Sequence, residues 1–163
     1  MAWSIFKTLI FTVIFPGTVA VYVPYRLRGP GPHPVTALGL LGLPPMAIGV
    51  AVYLWCAWDF ATFGRGTPLP LDAPKQLVAR GLYRHVRNPM YVGVLLVIFG
   101  QALWFRSVAT LWYGLAIELA FHLFVLLYEE PTLKHKFGAS YERYLQTVPR
   151  WAPKPAAKRG PAK

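Results

Sequence analysis

"VATLWYGLAIELAFHLFVLLY", residues Val108 to Tyr128, contains only Glu118 and His122 as acidic or basic side chains. Its length matches the roughly 20 residues that a helix rising ~1.5 Å per residue needs to cross a ~30 Å hydrocarbon core. Three further apolar runs precede it: Trp3 to Tyr25, Val35 to Trp58 and Met90 to Phe105. The composition agrees, with 55% of the 163 residues hydrophobic and 14% charged, against about one quarter charged in ordinary soluble domains. Backbone polar groups in lipid need partners within the chain, and so short a chain with long apolar runs cannot close a barrel, so the runs are expected to be helices. The predicted class is all-α: a polytopic membrane protein with about four transmembrane helices plus a cytoplasmic C-terminal amphipathic helix. One helical domain is expected over 1–151, with its cofactor-binding part at about 60–151. The tail 152–163, "APKPAAKRGPAK", is basic and rich in Pro and Ala, and is expected to be disordered.

Pro16-Gly17 and Pro44-Pro45 fall inside the first two runs, where they are expected to kink or shorten the helices. The N-terminal run has a thin positive region and continues through "VAVYV" without a clear small-x-small cleavage site, so an uncleaved first span is expected rather than a signal peptide. Charge sets the predicted orientation. Arg26 and Arg28 follow the first run; Arg65, Lys75, Arg80, Arg84 and Arg87 separate the second from the third; only Arg106 separates the third from the fourth. With four crossings, the positive-inside bias puts both termini and the central loop on the cytoplasmic side of a plasma or inner membrane. The net charge of +11 is then concentrated where anionic headgroups lie, and no nucleic-acid partner is inferred from it. The single cysteine, Cys56, excludes an internal disulfide and a Cys-cluster metal site.

Two polar islands carry the chemistry, Asp59 to Pro89 and Glu129 to Arg150. In the first, Asn88-Pro89 has the form of a helix start, with Asn at the N-cap and Pro at the first helical position. Free amides at such an end favour an anion, and Arg84, His85 and Arg87 add positive charge. Taken singly, each arginine also reads as an interfacial anchor whose stem snorkels. In the second, Glu129 and Glu130 follow the fourth run, where a helix C-terminus opposes carboxylates. A cationic ligand or the arginines of the first island would compensate them; alternatively Pro131 ends the span and Glu130 opens a new helix. Beyond it Leu133, Phe137, Tyr141, Tyr144 and Val148 recur at three- or four-residue spacing on one amphipathic face. Glu118 and His122 share a face within the fourth run. No third ligand accompanies them, and no metal site is expected.

"GLYRHVRNPMYVG", followed by "LYEEPTL", "FG", "YERY" and "VPRW", resembles the integral membrane methyltransferases grouped with isoprenylcysteine carboxyl methyltransferase and phosphatidylethanolamine N-methyltransferase. The resemblance covers about Gly64 to Pro153. It implies S-adenosylmethionine as methyl donor and a lipid or prenylated, lipid-like acceptor. Arg87, Pro89, Tyr91 and Gly93 match an Arg-x-Pro-x-Tyr-x-Gly core, and Glu129 and Glu130 match a Glu-Glu pair. Asn88 stands where the prenylcysteine branch has His and is similar to the phospholipid branch. Gly64 and Gly66 stand where phospholipid enzymes carry a glycine-rich cofactor segment. The resemblance thus implies a cofactor set of Tyr83, Arg87, Asn88, Pro89, Tyr91, Gly93, Glu129, Glu130, Gly64 and Gly66.

The donor's groups suit that inventory: glutamates for its ammonium or ribose, Arg87 and the amides after Asn88 for its carboxylate, and Tyr83, Tyr91 or Phe137 for its adenine or cation. Arg87, Glu130 and His85 are the expected catalytic residues, with His85, His122 or Glu130 as proton acceptor for an amine. The rivals are a sterol-type membrane reductase using a nicotinamide dinucleotide and a non-catalytic membrane scaffold.

Overall fold

The computed structural model describes residues 10, 12–64, 77 and 79–153, and among them the chain forms helices without a strand. Gly66 and the tail from 154 onward, both singled out above, lie outside the described residues. Helix α1 runs over 12–27 and carries a π-helical turn, Thr18–Tyr22, directly after Pro16-Gly17. The expected irregularity there is therefore a widened turn. Such turns disturb the backbone ladder, and neighbouring helices supply donors to it: Tyr113 Oη donates to Val19 O at 2.9 Å, and Gln101 Nε2 donates to Ala20 O.

Thr36 opens α2, Ala37–Leu40, by accepting from Gly39 N at 3.1 Å. After the turn at 41–42, α3 spans Leu43–Asp59. Pro44-Pro45 falls in its first turn, where a missing N–H has no helical acceptor to lose; the interruption expected there is a fresh helix start. A second π turn, Phe60–Gly64, continues α3. Helix α4 is Pro89–Phe105 and α5 is Val108–Phe124. Ser107 starts α5 by accepting from Thr110 N, while its hydroxyl donates to Leu27 O at 2.9 Å and ties the end of α1 to this corner. A third π turn, Val125–Glu129, leads into α6, Glu130–Phe137, and α7, Ala139–Thr147.

Two helical stretches, Ala37–Thr62 and Val108–Phe137, are long and apolar enough to cross a membrane, and Pro89–Phe105 is a shorter apolar helix. Large side chains such as Leu54, Trp55, Trp58, Trp112 and Leu119 face outward. Such apolar outer surface suits a hydrocarbon surrounding rather than water.

Where hydrocarbon surrounds a bundle, small residues that let backbones approach replace the hydrophobic drive between helices. Helices α3 and α4 meet along such a seam. A Cβ at Gly49 would lie 2.5 Å from Gly93 O, and one at Gly93 would lie 2.8 Å from Gly49 O. One heptad away, Gly42 and Gly100 face each other in the same reciprocal way, a Cβ at Gly100 falling 2.7 Å from Gly42 O. The seam fixes α4 against α3 and so sets where its first turn, carrying the polar island, emerges.

The predicted apolar stripe of the C-terminal region exists, with Tyr141 and Val148 buried and Leu133, Phe137 and Tyr144 half-buried. It is carried by two helices rather than one, because Gly138 breaks the run at φ 52°, ψ −131°, a backbone state open essentially to glycine.

Candidate active site

A cavity of about 510 Å³ lies between α1, α3, α4 and α5. Its walls are mostly apolar: Phe15, Pro16 and Val19 from α1, Tyr53 from α3, Met90 and Val94 from α4, and Ala120, Phe121 and Phe124 from α5. Aromatic pairs stiffen it. Tyr91 and Phe121 lie with ring centroids 4.6 Å apart, and Phe60 meets Tyr83 edge to face at 5.6 Å. Its polar lining consists of Tyr83, Arg87, Asn88, Tyr91 and Glu129. These come from a 3₁₀ turn, Gly81–Arg84, from the entry to α4, and from the end of the π turn after α5.

The two adjacent glutamates have different partners. Glu129 lines the cavity and accepts from Tyr91 Oη at 3.0 Å. Glu130 takes no part in the cavity wall and is gripped by two guanidinium groups. Arg87 Nη1 donates to its Oε1 at 3.0 Å, while Arg150 donates from Nε to Oε1 at 2.7 Å and from Nη2 to Oε2 at 3.0 Å. Two parallel bonds from one fork are the strong form of this contact, and the pairing with Glu130 raises the pKa of Arg150. Of the expectations for the glutamates, compensation by the arginine of the first island therefore describes Glu130, which also opens α6.

Asn88 occupies the N-cap position of α4, yet its side chain caps no amide. It donates instead from Nδ2 to Arg150 O at 3.2 Å, and Arg87 N donates to Pro149 O at 2.9 Å. Farther along, Tyr144 Oη donates to Tyr83 O at 2.7 Å. Trp151 Nε1 donates to His122 Nδ1 at 3.1 Å, the two rings stacking at 5.9 Å. Segment 148–151 is thus a strap tied to Arg87 and Asn88 at the polar end of the cavity and to His122 on α5. Burial pushes the Tyr83 hydroxyl well above its ordinary pKa, helped by Cys56 and Glu129, so it stays a neutral group in the wall.

The remaining residues named from sequence are spread more widely. His85 stands exposed at the C-cap of the 3₁₀ turn, outside the cavity wall. Pro89 is buried as the first residue of α4, and Gly93 serves the helix seam rather than the cavity. Gly64 ends the π turn after α3. Phe137 is half-buried on α6 and absent from the wall. Glu118 is exposed, and His122 is engaged by Trp151. Asp59 is buried, with Arg80 Nε 3.7 Å from its Oδ1. Among the described residues no group of three or more His, Cys, Asp or Glu is placed to hold a metal ion.

Sequence reasoning did not single out the aromatic wall, Tyr53, Phe60, Phe121 and Phe124, or Arg150 and Trp151 within "VPRW". Aromatic residues at helical spacing in an apolar span look alike whether they face a cavity or lipid. The available signal for Arg150 was its place in a motif whose other members already pointed to the site.

Residues 38–140 match the phospholipid methyltransferase family model, from α2 to the first turn of α7, leaving the strap outside the matched segment. An uncharacterized protein of Haemophilus influenzae is 38% identical over 63 residues, which is 38% of this chain and 98% of that protein. No solved structure matches. With most of the chain covered by the family match, including the entry to α4 and both glutamates, the protein belongs to the phospholipid methyltransferase family.

Proposed function

We propose that the protein transfers a methyl group from S-adenosylmethionine to a lipid or lipid-like acceptor, a carboxylate or an amine, at the cytoplasmic face of a membrane. In this proposal the chain crosses four times, through α1, α2 with α3, α4, and α5. Both termini and the segment between α3 and α4 then share the cytoplasmic side, with α6 and α7 lying along it.

One observation carries the proposal: a single, mostly apolar cavity is lined by both a carboxylate residue, Glu129, and a guanidinium residue, Arg87. A ligand bearing both an ammonium and a carboxylate fits that donor set, and aromatic faces suit an adenine or a sulfonium. Bound there, S-adenosylmethionine would supply an electrophilic methyl group. Arg87 would take its carboxylate and Glu129 a cationic group, while Tyr53, Tyr83, Tyr91 and Phe121 would wall its flat or cationic parts. Glu130 then belongs to the support of Arg87. Phe15 and Ala120 are exposed wall residues on α1 and α5, which makes the gap between these helices the route for an acceptor's apolar chain. The chain's task is alignment and exclusion of water. A carboxylate acceptor needs no base; for an amine, Glu129 is the carboxylate in the wall, whereas His85, His122 and Glu130 are not part of it. A nicotinamide dinucleotide, with its two phosphates, fits one guanidinium beside a carboxylate less well.

The test uses the full chain in lipid nanodiscs. Labelled S-adenosylmethionine should bind in preference to a reduced nicotinamide dinucleotide, and mass spectrometry of supplied lipids should find products one methylene heavier. Binding of the dinucleotide with no binding of S-adenosylmethionine overturns the proposal.

A further inference from the structure

From the charge count and the tethers at the polar end of the cavity, we infer that Arg150, on the strap, is a positioning residue that makes Arg87 an anion receptor. This rests on the proposal that a carboxylate-bearing donor occupies the cavity.

Arg87 and Glu130 alone would form a one-to-one ion pair with no formal charge left over. Arg150 changes that count: two guanidinium groups share one carboxylate, and the cluster keeps one formal positive charge. Of the two guanidinium groups, Arg87 is the one that lines the cavity. Arg150 holds Glu130 through the two-pronged contact, occupying both carboxylate oxygens. Arg87 reaches Glu130 through Nη1 only and itself lines the cavity. The side chains of Arg87 and Glu130 are 11% and 16% exposed, so little water is at hand to replace a missing partner.

The strap's backbone adds to the effect. Pro149 O accepts from Arg87 N and Arg150 O accepts from Asn88 Nδ2, so the residue gripping Glu130 is fastened at its own main chain to the two residues that open α4. Tyr141 is buried beside the same group, and its hydroxyl pKa is pushed up to about 12, chiefly by burial and then by Glu130. Beside Arg87 it therefore stays a neutral phenol. Arg150 itself is not part of the cavity wall; its influence on a ligand passes through Glu130 and Arg87.

The experiment compares S-adenosylmethionine with its decarboxylated analogue, which lacks the group that Arg87 is argued to receive. Binding of each is measured by titration calorimetry on the full chain in nanodiscs, for the wild type, Arg150→Gln and Arg150→Lys. The wild type should prefer the carboxylated form. Arg150→Gln should weaken that form about tenfold, as expected for a charged hydrogen bond, and leave the analogue unchanged. Arg150→Lys, which restores charge without the fork, should fall between. Equal weakening of both ligands, with a lowered melting temperature, would reduce Arg150 to a structural brace and overturn the inference. So would unchanged binding of both, or a wild type indifferent to the carboxylate. A wild type that binds neither ligand instead removes the methyl-donor proposal on which the inference rests.

Discussion

Helix α4 is held in two ways at two places. Along its length the Gly42–Gly100 and Gly49–Gly93 contacts set it against α3 by shape, with backbone against backbone and no charge involved. At its first turn the strap 148–151 holds it by charge and hydrogen bonds: Arg87 N to Pro149 O, Asn88 to Arg150 O, and Glu130 between two arginines. The seam sets where the helix points, whereas the strap sets which polar atoms are left over at its start. A fault in the seam should therefore damage the whole fold, and a fault in the strap should damage the site first.

The seam should show the largest effect. Gly49→Ala puts a methyl group against Gly93 O, a backbone atom that cannot rotate away. Overpacking of this kind costs about 1–3 kcal/mol, and Gly49→Leu should prevent accumulation of folded protein. Thermal melts in detergent followed by size-exclusion fluorescence read both. An Ala variant melting like the wild type would mean that the two helices separate at little cost and that the seam does not orient α4.

The two glutamates give the next contrast. Glu130→Gln leaves the largely buried Arg87 and the half-buried Arg150 with one neutral acceptor and should lower stability by about 2 kcal/mol. Glu129→Gln keeps an oxygen for Tyr91 and should change stability by less than about 0.5 kcal/mol, yet it should abolish methyl transfer by removing the carboxylate from the cavity. Melts and activity measured side by side separate the two positions. If both variants lose stability equally while retaining activity, the division between a supporting Glu130 and a ligand-facing Glu129 is wrong.

What could be read in advance follows the range of the forces involved. The helical character of the chain and the entry to α4 at Asn88-Pro89 are local, and the sequence carries them. The meeting of Arg87 with Glu130 is long-range, but it was indicated because a carboxylate near a helix end and an uncompensated arginine each lack a partner. The strap was not legible: the bonds of Asn88 and Arg87 to main-chain carbonyls at 149–150 depend on backbone atoms that every residue possesses. The glycine seam left a trace, a seven-residue spacing in both helices, Gly42 to Gly49 and Gly93 to Gly100, but spacing alone cannot show that the two faces oppose each other. His85 shows how sequence proximity and placement can part. Its imidazole made it a candidate base for an amine acceptor, and it lies two residues from Arg87, whereas the 3₁₀ turn directs Tyr83 inward and leaves His85 exposed.

The smallest effect should come from α7, the helix that leads into the strap. Tyr144 Oη donates to Tyr83 O across 61 residues, linking α7 to the turn that presents Tyr83 to the cavity. Tyr144→Phe removes one neutral hydrogen bond and should cost about 1 kcal/mol, with Trp151 fluorescence and amide exchange over 141–151 changing before global unfolding does. Burial, and then Tyr141, push the pKa of Tyr144 above its ordinary 10. A tyrosine with a raised folded-state pKa contributes stability that is full below 10 and lost as pH climbs through the folded value. The wild-type contact between α7 and the Tyr83 turn should thus hold through neutral pH and loosen only in strong alkali, while Tyr144→Phe should lose this part of the alkaline response. Equal alkaline loosening in both proteins would assign the response to Tyr141, which interacts with Glu130 and Arg87, and would move the anchor of α7 from the main chain of Tyr83 to the charged cluster itself.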